Sequence, residues 1–316
     1  MSNKRFDVAI AGEINLDLVL YGLPEVMPCE RELLADNFAM TLGSSSAILA
    51  HNLSKLGASV TMATLVGPDA LGEIALQRLR EANVDLGGVR HTDACSTGVT
   101  LMLPHGKERH TLTYPGTMAK MSLADLDLDY LSNARHFHLS SLYLQTALRP
   151  DVPELFRHMK SAGLTISLDT NDDPDGRWEG LLDTVLPLVD IFMPNEDEAR
   201  RMTHTTSVEA AIEVLGSIVP LVAVKCGSRG ALIRSAGITQ AIAPVPVTPV
   251  DTVGAGDSFN TGFLFGYLRG MSPAAAARCG NICGALSTQR SGGTEAFRDK
   301  ALLDSFLAAQ GGLAQN

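Results

Sequence analysis

The feature that most constrains the fold of this chain is a regular alternation of strand-like and helix-like segments across residues 135–227. Short apolar runs typical of buried strands alternate there with longer stretches of helical periodicity. The strand-like runs are residues 135–141, 164–170, 191–195 and 221–227, and the helical stretches are 149–163, 177–190 and one that begins at Glu196. Strands joined by helices of this length pair in parallel, so the pattern predicts a parallel sheet with helices on both faces.

Segments on either side of this region extend the same plan. Residues 6–12 and 59–67 predict further strands, and residues 230–247 predict an antiparallel hairpin near the sheet edge. The helices predicted outside the central region are residues 45–57, 70–83, 255–269, 273–289 and 299–310. The predicted fold class is therefore α/β, a three-layer αβα sandwich with a mostly parallel, Rossmann-like central sheet.

Two separate segments predict a small β-sheet lid. Residues 16–24 alternate in polarity, and residues 98–116 have the pattern of a hairpin around the sequence HGKE. The predicted lid comprises residues 16–42 and 96–117, and the predicted large α/β domain comprises residues 1–15, 43–95 and 118–316.

Composition and charge exclude several classes of function. The 316 residues carry a formal net charge of −10 with no basic run, which disfavours nucleic-acid binding. No stretch long enough to span a bilayer is free of charged residues, so we expect no membrane association. Asp7, Glu13 and Asp17 interrupt the N-terminal apolar run, which argues against a signal peptide. Five scattered cysteines, an odd number without a CxxC pair, indicate a reducing, cytoplasmic location.

The sequence DTVGAGDSFNTGF, residues 251–263, contains the principal candidate for chemistry. Gly254, Ala255 and Gly256 have little or no side chain, so their N–H groups can turn toward a bound anion without steric cost. If Asp257 begins the helix that follows, these unpaired N–H groups can stabilise a transferred phosphoryl group while the carboxylate acts as a general base. The alternative is a glycine turn with an aspartate N-cap, and spacing alone does not separate the two interpretations.

This segment resembles the C-terminal signature of the ribokinase-like (PfkB) carbohydrate kinases, Asp-Thr-x-Gly-Ala-Gly-Asp, at all seven positions. Other landmarks of that family occur in the family's order: GEINLDL (12–18), GSSSAILAHNLSKLG (43–57), ATLVGPDALGE (63–73), FMPNEDEA (192–199), VKCGSRGALI (224–233) and RCGNICGALSTQRSGG (278–293). The resemblance covers nearly the whole chain. It implies a ribokinase-type fold and ATP-dependent phosphorylation of a small molecule's hydroxyl, usually the CH₂OH of a sugar. It also implies that Asp257 is the catalytic base and that Gly254, Ala255 and Gly256 form the anion hole.

The resemblance further implies ATP and Mg²⁺ as cofactors. Asn195 and Glu198 match the family's Asn-x-x-Glu motif, which holds magnesium and phosphate, and Mg²⁺ would be bound through water. A charged first helical turn is the other explanation for three consecutive acids at residues 196–198. The strand–Pro–Asn context together with the resemblance favours the motif.

Further nucleotide-binding residues follow from the resemblance. Lys225, Gly227 and Gly230 would lie at the nucleotide loop, where the alternative for the glycines is a plain β-turn. Asn281 would lie near the adenine, unless it is only a polar helix residue. Asp251 resembles a ligand of the monovalent cation, such as K⁺, that many members bind, and a turn aspartate bonded to its own backbone is an equal alternative.

The acceptor side shows both the family pattern and a departure from it. Asn15 and Asp17 follow the first strand, and family members use this pair to bind sugar hydroxyls. Gly43 opens the next substrate loop, where the family usually has a second glycine and, five residues after the first, an asparagine. This chain has Ser44 and Ile48 at those positions, so the hydroxyls of residues 44–46 would take over the polar contacts.

Several alternatives follow for the acceptor and the assembly. Arg109 on the lid hairpin either binds an acidic sugar or is a solvated charge. The apolar, alternating lid strands leave a face to bury, and the resemblance implies a homodimer through the lid; the alternative is a lid packed on its own domain. Besides a sugar kinase, the sequence allows a kinase of a nucleoside or another small alcohol, and a non-catalytic sugar or nucleotide sensor on the same scaffold.

Overall fold

The computed structural model of the protein describes residues 4–105, 108–178 and 180–313. Two residues of the predicted lid hairpin, 106 and 107, lie outside the described residues. The strands are β1 (Phe6–Ala11), β2 (Asn15–Tyr21), β3 (Asn37–Leu42), β4 (Val60–Val66), β5 (Asp85–His91), β6 (Gly98–His105), β7 (Glu108–Tyr114), β8 (Ala134–Ser140), β9 (Thr165–Asp169), β10 (Ile191–Phe192), β11 (Leu221–Lys225), β12 (Ala231–Ser235) and β13 (Ile238–Ile242).

The α-helices are α1 (Ser45–Lys55), α2 (Ala70–Glu81), α3 (Leu128–Leu131), α4 (Val152–Ser161), α5 (Glu196–Thr203), α6 (Val208–Gly216), α7 (Ala255–Leu268), α8 (Pro273–Ser287), α9 (Glu295–Arg298) and α10 (Lys300–Ala309). Short 3₁₀ turns cover Gly116–Ala119, Leu123–Asp125, Arg149–Asp151, Leu186–Leu188 and Gly227–Arg229. Within the described ranges, every helix is too short or too polar to span a bilayer.

Nine strands form the central sheet in the order β13-β12-β11-β10-β9-β8-β1-β4-β5. Seven neighbouring strands of this sheet pair in parallel, in the order β11-β10-β9-β8-β1-β4-β5. Strands β12 and β13 add an antiparallel hairpin at one edge. The mostly parallel sheet and the edge hairpin are confirmed. The C-terminal ends of the parallel strands consequently meet at one edge, where open α/β sheets bind their ligands.

Alternation along the central strands produces the three layers. In β1, Val8 and Ile10 join one apolar cluster, whereas Phe6, Ala9 and Ala11 join the other. Successive side chains of a strand point to opposite faces, so each face of the sheet packs against its own helices. Helices α1, α2, α7 and α8 cover the first face, and α4, α5 and α6 cover the second.

A separate four-stranded sheet, in the order β3-β2-β6-β7, is the small second β-sheet that the sequence predicts. One row across this sheet is polar: Thr41 pairs with Asp17, Asp17 with Thr100, and Thr100 with Thr113. The adjacent row is apolar and consists of Met40, Leu18, Leu101 and Leu112. Because neighbouring rows point to opposite faces, this sheet has a polar face and an apolar face.

The predicted helix at residues 177–190 is wrong in its form. The structure has one π-helical turn, Leu181–Val185, followed by a 3₁₀ turn, Leu186–Leu188. Gly180 has a positive φ of 72°, which no helix interior tolerates, and Pro187 lacks the N–H that a longer helix needs. Strand β5 and helix α6 are two elements that the sequence pattern did not reveal.

Candidate active site

The glycine loop before α7 forms a turn that only glycine adopts readily. Gly254 is the N-cap of α7 with φ 72° and ψ 6°, and a Cβ there would lie 2.4 Å from Cα of Gly293. The helix begins at Ala255, whose N–H donates to the carbonyl of Thr252 (3.2 Å). Helix geometry leaves the amides of Gly256 and Asp257 without an intrahelical acceptor, so they are available to an anion.

Asp257 lies in the first turn of α7 and is not its N-cap. The residue as a whole is partly exposed, whereas its carboxyl group is surrounded by protein atoms. Burial of the carboxyl group and the negative charge of Asp169 raise its pKa to about 6. The charge of Lys225 and a hydrogen bond from Ser45 oppose this shift. A carboxylate with a pKa near neutrality is suited to accept a proton from a hydroxyl.

Asn15, Asp17 and Gly43 lie together, next to the glycine loop. A Cβ on Gly43 would lie 2.2 Å from Oδ1 of Asp17 and 2.4 Å from Oδ1 of Asn15, so the two side chains pack directly on this glycine. Asn15 donates its amide hydrogen to Oγ1 of Thr100 (2.7 Å), while its buried Oδ1 accepts no hydrogen bond. That oxygen is available to a sugar hydroxyl, because a buried acceptor without a donor is costly.

Asp17 is 3 % exposed, and the charge of Asp257, which follows the glycine loop, acts on its carboxyl group. Burial and, to a smaller extent, the negative charge of Asp257 raise its pKa to about 7. The guanidinium of Arg109 lowers the pKa of Asp17, although Arg109 itself is exposed on β7. Register places Arg109 on the polar face of the small sheet with Thr113 and Thr100, which is also the face of Asp17.

The serines that follow Gly43 are all engaged with the protein. Ser44 adopts φ 68°, donates to the carbonyl of Glu13 (2.5 Å) and caps α1 by accepting from the amide of Ala47 (3.4 Å). Ser46 donates to the buried carboxylate of Glu13 (2.7 Å). Ile48 is buried, and its Cδ1 would lie 3.4 Å from a Cβ on Gly254. Ile48, which stands where the family usually has an asparagine, therefore packs against Gly254 of the glycine loop.

A buried ion pair lies beside the glycine loop. Nζ of Lys225 donates to Oδ2 of Asp169 (2.5 Å), and the same oxygen accepts from Nδ2 of Asn260 (2.5 Å). The side chains of Lys225 and Asp169 are 12 % and 0 % exposed. Nζ of Lys225 would lie 3.7 Å from a Cβ on Gly256, which brings a positive charge to the start of α7. Sequence reasoning missed Asp169 and Asn260, although Asp169 ends a predicted strand at the ligand-binding edge of the sheet.

Asn195 and Glu198 cap α5 reciprocally. Glu198 accepts from the backbone N–H (2.8 Å) and the amide side chain (2.6 Å) of Asn195, whose Oδ1 accepts from the Glu198 amide (2.9 Å). Burial and the charge of Asp169 raise the pKa of Glu198 to about 7, against the charge of Lys225. Glu198 is thus buried, and the charges of Lys225 and Asp169 act on it. A solvated acid of a first helical turn would instead be exposed.

The remaining predicted nucleotide residues, Gly227, Gly230 and Asn281, lie around the hairpin of β12 and β13. Gly227 has open space around it, whereas a Cβ on Gly230 would lie 2.1 Å from the carbonyl oxygen of Ile242. Asn281 donates to the carbonyls of Ala243 (2.8 Å) and Ile242 (3.3 Å). Its amide hydrogens therefore hold the segment after β13, and this segment also confines Gly230.

Asp251 joins three parts of the molecule. Its carboxylate accepts from the amides of Val253 (3.0 Å) and Gly292 (3.1 Å) and from the hydroxyl of Tyr21 on β2 (3.3 Å). The bond to Val253 is that of a turn aspartate. Within the part of the chain that the structure describes, His, Cys, Asp and Glu side chains do not gather in threes as a metal cluster.

A helix start open to an anion, a carboxylate with a raised pKa and a polar acceptor pair are the parts that a kinase of small-molecule hydroxyls requires. The chain belongs to the pfkB family of carbohydrate kinases, whose family model matches residues 6–300. The protein is accordingly a phosphotransferase that acts on a sugar hydroxyl.

Relatives and solved structures agree with this assignment. The chain is 30% identical over 289 residues to the 2-dehydro-3-deoxygluconokinase of Bacillus subtilis, covering 86% of this chain and 88% of the relative. It is 31% identical over 295 residues to the ATP-dependent ribose-1-phosphate kinase of Halopiger xanaduensis, covering 92% and 94%. A protein of E. coli assigned as ribokinase II, crystallised with ATP and Mg²⁺, superposes with a TM-score of 0.82 at 25% identity, covering 96% of this chain and 99% of the other.

Proposed function

We propose that the protein transfers the γ-phosphoryl group of ATP to a hydroxyl, most simply a CH₂OH, of a small sugar or sugar derivative. The observation that supports this proposal is that Asp257 lies in the first turn of α7, among its free amides, and that its charge acts on Asp17 of the buried Asn15–Asp17 pair. A base at this point can take the proton of an acceptor hydroxyl while the neighbouring amides receive the phosphoryl oxygens.

In the proposed reaction the acceptor is held first. Asp17 and Oδ1 of Asn15 accept hydrogen bonds from neighbouring sugar hydroxyls, and Gly43 leaves room for both side chains. The attacking hydroxyl donates its proton to Asp257. The amides of Gly254 and Gly256 bind the migrating phosphoryl group, and that of Ala255 does so once it leaves the carbonyl of Thr252. Phosphoryl transfer depends mostly on such positioning and charge stabilisation.

For the nucleotide, the residues present fit ATP with Mg²⁺. Mg²⁺ neutralises charge on the phosphates when bound, and Glu198 would hold it through water because Asn195 already occupies both carboxylate oxygens. Lys225 supplies a positive charge beside Gly256. Gly227 leaves room at the loop, and Gly230 and Asn281 hold the segment on which the adenine would rest. A K⁺ site at Asp251 rests on the family resemblance alone, whereas its hydrogen bonds support the turn interpretation.

The acceptor class is the finer part of the proposal. Arg109 lies on the polar face of the small sheet, and its charge acts on Asp17. A guanidinium at this position favours an acceptor that carries a carboxylate or phosphate. The relatives named 2-dehydro-3-deoxygluconokinase and ribose-1-phosphate kinase bear names that indicate such anionic acceptors. We therefore propose an anionic sugar derivative.

The small sheet is proposed to act as the lid, with residues 16–42 and 96–117 closing over the acceptor and excluding water. We also propose a homodimer through this lid. On the apolar side of its sheet, Phe38, Leu101, Leu112 and Tyr114 are 56%, 36%, 55% and 50% exposed. A second copy of the chain would cover this apolar group, because exposed apolar side chains gathered on one face are typical of an interaction site.

The test is ADP release measured across a panel of sugar acids, sugar phosphates, neutral sugars and nucleosides, with wild type and Asp257→Asn. We expect turnover with one class of acceptor, and a loss of at least about 10²-fold in kcat for Asp257→Asn with unchanged ATP affinity. Unchanged turnover in this variant would remove Asp257 from its role. Ligand-induced thermal shifts without turnover on any acceptor would instead support a sensor, and turnover of nucleosides would support the alternative acceptor.

A further inference from the structure

The glycine loop before α7 rests on a second pair of glycines, Gly292 and Gly293. A Cβ on Gly254 would lie 2.4 Å from Cα of Gly293, so the two backbones are in direct contact. The amide of Gly292 donates to Oδ2 of Asp251 (3.1 Å), which lies in the same loop before Gly254. The positions of the amides at the start of α7 therefore depend on where this second pair lies.

Two successive glycines do not hold such a segment by themselves. Gly292 has φ 90°, and neither glycine has a side chain that could anchor it. Glycine loses more conformational freedom on folding than any other residue, so the segment needs contacts from other elements. Thr41 packs against Gly292 and Ile48 packs against Gly293. Such contacts limit the space of the segment, whereas a hydrogen bond also fixes the direction of a peptide group.

Asn52 on α1 supplies that hydrogen bond. Its side chain is fully buried, and Nδ2 donates to the carbonyl of Gly293 (3.0 Å) and to Oγ of Ser258 (3.1 Å). A carbonyl oxygen can only accept, so the amide nitrogen must face Gly293 and Oδ1 must face Nδ1 of His51 (2.8 Å). Both hydrogens and the oxygen of this amide are thus used, and they link α1 to α7 and to the second glycine pair.

His51 stays neutral in the pH range where the proposed base titrates. Burial is the largest cause that lowers the pKa of His51 to about 4, and the hydrogen bond with Asn52 opposes it. The charges that act in the same direction as burial are those of Lys55 on α1, Arg298 on α9 and Arg78 on α2. Nδ1 of the neutral ring carries the hydrogen that Asn52 accepts, so the network keeps its hydrogen bonds on both sides of pH 6.

We propose that Asn52 is a positioning residue for the anion hole: it holds the carbonyl of Gly293, which fixes Gly254 and thereby orients the amides at the start of α7. This inference rests on the proposed function and adds to it the residue that keeps the phosphoryl-binding amides in place. Donors that are already oriented stabilise a transition state without reorganisation during the reaction. Because Asn52 is fully buried, it contacts neither acceptor nor nucleotide, and its loss should lower kcat rather than raise KM.

The test compares wild type with Asn52→Leu, which keeps the volume of the side chain but has no donor, on the acceptor that wild type turns over. kcat should fall about tenfold, and KM for ATP and acceptor should change less than about twofold, because displaced donors weaken the transition state. The acid limb of kcat should stay in place. MgADP with aluminium fluoride, which mimics the migrating phosphoryl group, should bind about tenfold more weakly, whereas MgADP alone should bind as in wild type.

Two control variants separate this role from a loss of stability. Ser258→Ala also leaves one hydrogen of Asn52 without an acceptor but keeps the bond to Gly293. It should destabilise the fold, because a buried donor loses its partner, and change kcat less than about threefold. Ser54→Ala removes a different hydroxyl from the same helix, one bonded to the carbonyl of Ala82 (2.6 Å), and should leave kcat unchanged.

A further variant disturbs the second glycine pair without a change at Asn52. The Cβ of Gly293→Ala would lie 2.5 Å from Cδ1 of Ile48, so either the segment or this side chain must move. kcat and the affinity for MgADP with aluminium fluoride should fall together, as in Asn52→Leu. This variant decides the question if Asn52→Leu does not fold.

Hydrogen exchange provides a measurement that does not depend on turnover. Exchange in the peptide that contains residues 251–258, followed by mass spectrometry, should be faster in folded Asn52→Leu than in wild type, because the loop opens more readily. Unchanged kcat or unchanged exchange in this folded variant would overturn the proposal. Equal losses of kcat in Asn52→Leu and Ser258→Ala would do so too, by indicating a general loosening of the fold. Full activity of Asp257→Asn, or no turnover of any acceptor, would instead refute the proposed function, and the exchange rates would still decide the role of Asn52.

Discussion

Asp17 and Asp257 lie close enough in the active site that the charge of Asp257 helps burial to raise the pKa of Asp17 to about 7. Asp257 itself has a pKa raised to about 6. Two carboxylates that face one small molecule repel each other when both are ionised. A bound hydroxylated acceptor relieves this repulsion, because Asp17 can accept one hydroxyl hydrogen and Asp257 another.

The first prediction concerns the pH dependence of the reaction. The proposed base Asp257 can accept a proton only when it is ionised, so kcat/KM should rise as pH increases through about 6 and fall about tenfold for each unit below it. Asp17→Asn should move this limb by much less than one unit, because Asp17, with a pKa of about 7, is already mostly protonated at pH 6. The measurement is a kcat/KM profile from pH 5 to 8 at saturating ATP and Mg²⁺. A flat profile over that range, or a shift of about one unit or more in Asp17→Asn, would contradict the assignment.

The second prediction concerns the buried pair of Lys225 and Asp169. Lys225→Met leaves the fully buried carboxylate of Asp169 without its cation and should lower the free energy of unfolding by about 3–5 kcal/mol. Lys225→Met combined with Asp169→Asn removes both charges and should restore most of that stability. Turnover should stay low in the double variant, because the ammonium beside Gly256 is absent. Denaturant unfolding and kcat together check this, and a single variant as stable as wild type would show that the pair is not buried.

The third prediction concerns Arg109. Arg109→Gln should raise KM about 10- to 100-fold for an acceptor with a carboxylate or phosphate, and change it little for a neutral acceptor. Arg109→Lys keeps the positive charge and should lie between the two. Steady-state kinetics on matched acids and neutral analogues provide the measurement. Equal effects on charged and neutral acceptors would place Arg109 in solvent.

The fold could be predicted from the sequence where periodicity was strong. The strand predicted at residues 6–12 is Phe6–Ala11, and the helix predicted at 273–289 is Pro273–Ser287. The helix predicted at 177–190 failed, because Gly180 and Pro187 interrupt an otherwise apolar pattern. Local backbone demands outweighed periodicity there.

The active site was less accessible to prediction than the fold. The motif identified Asp257, and the helix begins at Ala255, as the predicted range 255–269 has it, but Gly254 rather than Asp257 is its N-cap. Apart from its place at the end of a strand, Asp169 gave no signal of its role, since its partners Lys225 and Asn260 are 56 and 91 residues away in sequence. Such contacts exist only after the sheet brings the ends of its strands together.

The last prediction concerns the apolar face of the lid. Leu101 and Leu112 pair directly across β6 and β7 and are 36% and 55% exposed, so a second copy of the chain can bury them together. Leu101→Asp with Leu112→Asp should convert a dimer to a monomer in size-exclusion chromatography with light scattering, because buried like charges would face each other across the interface. Ile238→Asp changes an apolar residue that is 71% exposed on β13, an edge strand of the other sheet, and should leave the dimer intact. A wild-type protein that stays monomeric at micromolar concentration, or a dimer that survives both aspartates, would show that the lid face meets no second copy.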